Sequence, residues 1–127
     1  MATRLTLFLD SLGAGGAQRQ MLTLAAGLDP AAFTVRLAWY NQTANFHQVP
    51  AGVEALPLPR GHRFDPQFVR ALRQLVSRRH TDLVHAWLPA PSVYATALAL
   101  LPGSAPVVTG VRCSPSLFDV DRTQGRM

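Results

Sequence analysis

Gly13, Gly15 and Gly16 fall within four residues of LTLFLDSLGAGGAQRQMLTLAAGL, the stretch from Leu5 to Leu28. Glycines at this density let the backbone take positive φ and let another molecule come close to its N–H groups. Where such a turn opens a helix, free N–H groups and the positive end of the helix dipole can hold an anion or a sugar hydroxyl. The second group with chemistry is His85, in TDLVHAWLP from Thr81 to Pro89. Its imidazole can donate, accept or carry a proton near neutral pH. His85 falls near the C-terminal end of an apolar run, where open α/β sheets place their ligands. Both features have plainer readings: a tight strand-to-helix turn for the glycines, and a hydrogen-bonded structural residue for the histidine.

Two familiar phosphate loops fail on these residues. Counting from Gly13, the sixth position of a GxGxxG fingerprint is Gln18, and no Asp or Glu lies between Asp29 and Glu54 to hold a ribose. No Gly-Lys-Ser/Thr follows the glycines, so a P-loop is also excluded. No cofactor is expected. His47, His62, His80 and His85 show no ligand spacing, so no metal is expected either. The single cysteine, Cys113, excludes an internal disulfide and reads as an ordinary residue.

The elements that position these groups follow from the apolar pattern. Leu5, Leu7, Phe8 and Leu9 form a short run suited to a strand covered on both faces. Ala17, Met21, Leu24, Ala25 and Leu28 then keep helical spacing opposite Gln18, Arg19, Gln20 and Thr23, and Asp29-Pro30 ends the helix. Phe33, Val35, Leu37 and Trp39 alternate as a second strand. Residues 41–52 read as a loop, and VEALPL, Val53 to Leu58, as a strand kept at a sheet edge by its prolines. Asp65-Pro66 is a helix start, with Phe68, Val69, Leu72, Leu75 and Val76 as its buried stripe. Leu83 and Val84 continue the strand pattern. Ser92 to Leu101 reads as a buried helix closed by Pro102-Gly103, and Pro106 to Arg112 as a fifth strand.

Alternating strands and helices imply α/β architecture, a Rossmann-like open parallel sheet with helices on both faces. In the usual order the first and fourth strands are neighbours at the topological switch point, so Gly15, Gly16 and His85 would converge on one crevice.

The 127 residues, 48% hydrophobic and 15% charged, suit a single domain over 1–127 with a real core. The net charge is +5, and every basic residue other than histidine is arginine. Arg70, Arg73, Arg78 and Arg79 lie mostly on the open side of their helix, a pattern suited to anionic lipid or simply to water. Nucleic-acid binding is not expected, with no recognised motif. With neither a signal peptide nor a membrane span in the pattern, the expected location is cytoplasmic, peripheral to the membrane's inner face if the arginines touch lipid.

SLGAGGAQRQMLTLAAGL resembles the opening of the retaining glycosyltransferases of family 4, where a strand and a "GGAE"-like turn lead into a helix. Gln18 stands where many relatives have Glu, keeping a hydrogen-bonding group without the charge. DLVHAWLP resembles the family's "DVVHxHxP" motif, with His85 at the first histidine and Trp87 at the second. PVVTGVR resembles its "PVV…SVR" segment and ends on Arg112.

The resemblance runs from Leu5 to about Arg112. It implies one half of the two-domain GT-B fold, the N-terminal half that receives the acceptor. Gly15, Gly16, Gln18, His85, Trp87 and Arg112 become the acceptor-site candidates, Trp87 as a stacking face for a sugar and Arg112 as a binder of phosphate or carboxylate. In that family the C-terminal half binds the nucleotide-sugar and carries a Glu-x7-Glu motif. Without it the chain is expected to be a truncated piece or separate subunit, nearly inactive alone, meeting nucleotide-sugar only through a further domain or partner. A stand-alone Rossmann-type binding module and a non-catalytic interaction domain remain the alternatives.

Overall fold

A computed structural model describes residues 2–45, 47–61 and 65–110. Its centre is β1 (Thr3–Phe8), the apolar run expected as a buried strand. β1 pairs in parallel with β3 (Phe33–Trp39) on one side and β6 (Leu83–Trp87) on the other. Outside these, β5 (Glu54–Pro57) pairs with β3 and β7 (Val107–Gly110) with β6, giving the order β5-β3-β1-β6-β7. The first and fourth expected strands are therefore neighbours.

The side-chain period of two divides the strands between two cores. Leu5, Leu7, Val35, Leu37, Trp39 and Trp87 pack with Met21, Leu22 and Ala25 of α1 (Gly16–Gly27). On the opposite face, Phe8, Ala38, Val84 and Ala86 pack with Phe68, Leu72 and Leu75 of α2 (Pro66–Leu75) and Ala95 of α3 (Pro89–Ala99). Each large side chain buried in this way stabilises the fold by about 1.5–3 kcal/mol. Asp65 caps α2 by accepting from the N–H of Gln67, and Pro66 occupies the first turn, as its sequence implies.

Four expectations are corrected. Part of the segment read as a loop is β4 (Asn41–Asn45), which pairs with β2 (Ser11–Leu12) in a small second sheet beyond the C-terminal ends of β1 and β3. Short polar strands such as Asn41–Asn45 carry no apolar alternation, so periodicity does not reveal them. Val69 is 47% exposed and leaves the buried stripe of α2, which follows Phe68, Leu72 and Leu75. α3 starts at Pro89 rather than Ser92. It is also not a buried helix: Pro91 and Ala95 are its buried residues, while Val93 and the following Leu100 and Leu101 are exposed. An all-round apolar sequence gives no direction to the buried face.

Candidate functional site

The site candidates gather where β1 and β6 end. After Phe8 the chain leaves the sheet through Leu9 and Asp10, whose carbonyl accepts from the N–H groups of Tyr40 and Asn41. The Asp10 carboxylate accepts from the N–H of Ser11 at 2.7 Å and from Nε2 of Gln18 at 3.2 Å. The side chain of Gln18 thus folds back from the first turn of α1 across Gly15, the helix N-cap. A Cβ built on Gly15 would overlap Oε1 of Gln18, whereas one on Gly16 would meet nothing within 4 Å. Open space therefore lies over Gly16.

The glycines do not serve the purpose of positive φ. Among the described residues, glycines with positive φ are Gly52 and Gly103, and Gly15 takes an extended φ of −73° with ψ 158°. What the glycines provide is clearance. No side chain caps α1 and its first turn has no acidic residue, so the helix N-terminus keeps its positive character, and over Gly16 no side chain covers it.

His85 is the middle residue of β6, rather than near its C-terminal end. It pairs in register with Leu7 of β1 and therefore points to the α1 side of the sheet. It is half-buried. Trp87, the next residue on that face, donates its indole N–H to Nε2 of His85 at 2.6 Å, and the two rings meet edge to face with centroids 5.4 Å apart. Trp87 itself is 3% exposed and belongs to the α1 core. The expected stacking face is covered by apolar side chains, and Trp87 contributes instead by orienting the histidine. After β6 the backbone turns sharply at Leu88, which has φ 75°, the positive φ of a non-glycine among the described residues. Such a conformation costs on the order of 1–3 kcal/mol. The turn brings the uncapped N-terminus of α3 to the same edge as that of α1.

Gly15, Gly16 and Gln18 thus share a sheet edge and a face with His85. Arg112 lies outside the described residues. The arginines read as one helix face are placed elsewhere: α2 ends at Leu75, so Arg78 and Arg79 lie in the turn after it rather than on the helix; Arg70 is exposed, and Arg73 and Arg78 bond to the carbonyls of Pro102 and Ser104.

A further arginine, Arg60, also stands at this edge, on the α2–α3 face. The Arg60 guanidinium lies 4.8 Å from the ring centroid of Tyr40, 5.4 Å from that of Phe68 and 5.9 Å from that of Tyr94. Its Nη2 donates to the Tyr94 hydroxyl at 3.3 Å. Burial, with Asp10 nearby, pushes the Tyr40 phenol up to about 12, so Tyr40 remains neutral. The signal for this cluster is three aromatic residues spread over Tyr40 to Tyr94, which only the fold brings together.

The family model described as Glycosyltransferase Family 4 matches residues 14–122. No curated protein matches the chain. Among solved structures, the fold is similar to that of a Rossmann-fold NAD(P)-binding family protein from Shigella flexneri. The TM-score is 0.54 and the identity 18%, over 97% of this chain and 62% of that one, a likeness of fold alone. The chain spans less than two thirds of that protein's length.

Proposed function

The chain belongs to glycosyltransferase family 4, and from that premise we propose that it forms the acceptor-side half of a retaining, GT-B-type glycosyltransferase. The carrying observation is the shared edge: an uncapped α1 N-terminus, open over Gly16, on the same face as an oriented histidine.

In this reading a sugar or polyol acceptor lies against the first turn of α1. Its oxygens accept from backbone N–H groups, which the clearance above Gly16 lets them reach. Gln18 keeps its amide on Asp10 and fixes the turn. His85 meets an acceptor hydroxyl from the sheet side. With Nε2 holding the Trp87 N–H, the neutral ring carries its proton on Nδ1, so a further contact through that atom is donated.

Donor chemistry lies outside these residues. The chain has one glutamate, Glu54, on the edge strand β5, so a Glu-x7-Glu pair cannot form within it. Stabilising the departing diphosphate is a large part of such a transfer. A domain that lacks those groups binds acceptor but transfers sugar negligibly. The test is turnover of UDP-glucose or GDP-mannose by the purified chain. No release of nucleotide above the uncatalysed rate is expected; turnover at about 1–1,000 s⁻¹, the ordinary enzyme range, would refute the proposal.

The similarity to an NAD(P)-binding family protein favours a second reading, a nucleotide module. That reading needs a carboxylate at the end of the second core strand. Trp39, Tyr40 and Asn41 occupy that position.

A further inference from the structure

We propose that a second site, at the opposite end of the sheet from Gly16 and His85, binds a phosphoryl group. A depression of about 530 Å³ opens between the C-terminal end of α2 and the α3–β7 connection, lined by Arg73, Arg78, Arg79, His80, Pro102 and Gly103 among others. It lies at the N-terminal ends of β6 and β7, so it is no part of the crevice described above and does not rest on the proposed function. No carboxylate lines it. The neighbouring acid, Asp82, is held by Arg4 at 3.0 Å.

The basic groups are anchored without being used up. Arg73 donates to the Pro102 carbonyl at 2.5 Å and to Oγ of Ser104 at 3.4 Å, and Nε of Arg78 donates to the Ser104 carbonyl at 2.8 Å. The N–H of Arg78 reaches the Gly103 carbonyl at 2.9 Å. These bonds satisfy carbonyls that would otherwise repel an anion, and they fix the guanidinium of Arg78 by its inner nitrogen. Its terminal nitrogens, and the whole Arg79 guanidinium, have no partner among the described residues. Forked N–H donors held in this way match the geometry of phosphate oxygens. Gly103, at φ +78°, keeps the rim low beside Arg73. The volume accommodates a phosphoryl group with part of the molecule that carries it, either a free phosphate or phosphomonoester or a lipid headgroup.

The test is an amide NMR titration of the chain with inorganic phosphate, compensated with chloride to constant ionic strength. Flotation with phosphatidylcholine vesicles, with and without phosphatidic acid, runs beside it. Arg79→Gln is the diagnostic variant, because among the described residues that side chain holds no partner. Saturable shifts at Arg78, Arg79, His80 and Gly103, with affinity at least about tenfold weaker in Arg79→Gln, support a site for free phosphate. Flotation that needs phosphatidic acid and falls to the same degree in the variant, without a response to free phosphate, supports a headgroup site. Non-saturating shifts, equal binding by Arg79→Gln, or shifts abolished by Gly16→Val would overturn the proposal.

Discussion

Trp87 donates its indole N–H to Nε2 of His85 at 2.6 Å, from two residues further along the same face of β6. Indole nitrogen only donates, so the bond assigns the imidazole lone pair to Nε2 and its proton to Nδ1. A motif that offers a polar group and a stacking face by sequence thus becomes one oriented group and one core residue.

Trp87→Phe keeps an aromatic body and removes the donor. The His85 ring should then populate both neutral tautomers, read from the ¹⁵N shifts of its side chain, with a loss of about 1–3 kcal/mol in unfolding free energy. An unchanged single tautomer would show that Trp87 does not orient the histidine.

Gly15→Ala and Gly16→Ala should separate stability from binding. At Gly15 the new methyl displaces Gln18 from Asp10, breaking a bond worth about 0.5–1.5 kcal/mol. At Gly16 it meets open space, so Gly16→Ala should be as stable as the parent, or better by up to about 1 kcal/mol. Acceptor binding should fall all the same, because the methyl fills the clearance. Chemical denaturation beside a glycoside titration checks both.

These contrasts show where the sequence is informative. Five core strands and the glycine turn were legible because apolar runs, Asp65-Pro66 and Asp29-Pro30 punctuate the chain, and the pairing of the first strand with the fourth followed from the usual order of doubly wound sheets. The orientation of each candidate was not. Trp87 reads as a sugar platform until the α1 core is seen to cover it. Gly15 and Gly16 read equally as positive-φ residues or as places of close approach, until their extended and helical geometry removes the first and leaves space for the Gln18 side chain at Gly15 and open space at Gly16. Arg60 meets one ring just beyond β3, one on α2 and one on α3, a juxtaposition that linear spacing cannot encode.

Asp65→Ala should cost about 0.5–2 kcal/mol, measured by urea denaturation. The carboxylate also accepts from the Gly61 N–H at 2.9 Å, tying the preceding loop to α2, so a loss in the upper part of that range is expected.

Alkaline pH should destabilise the fold through Tyr40. Its phenol holds its proton up to about 12 in the folded state, against about 10 when unfolded. Between those values the unfolded chain releases the proton first, so stability is intact below about pH 10 and falls as pH rises towards 12. About 1–2 kcal/mol of loss should disappear in Tyr40→Phe, read as the slope of unfolding free energy against pH.

The most direct measurement of the central claim is amide NMR mapping of the chain against methyl and octyl glucosides and mannosides, with UDP-glucose and NAD as competitors. The account predicts saturable shifts at Gly15, Gly16, Gln18 and His85 with the glycosides, abolished by Gly16→Val, and no displacement by either nucleotide. Tight binding of UDP-glucose or NAD at those residues, with glycosides silent, would contradict it and make this edge a nucleotide site.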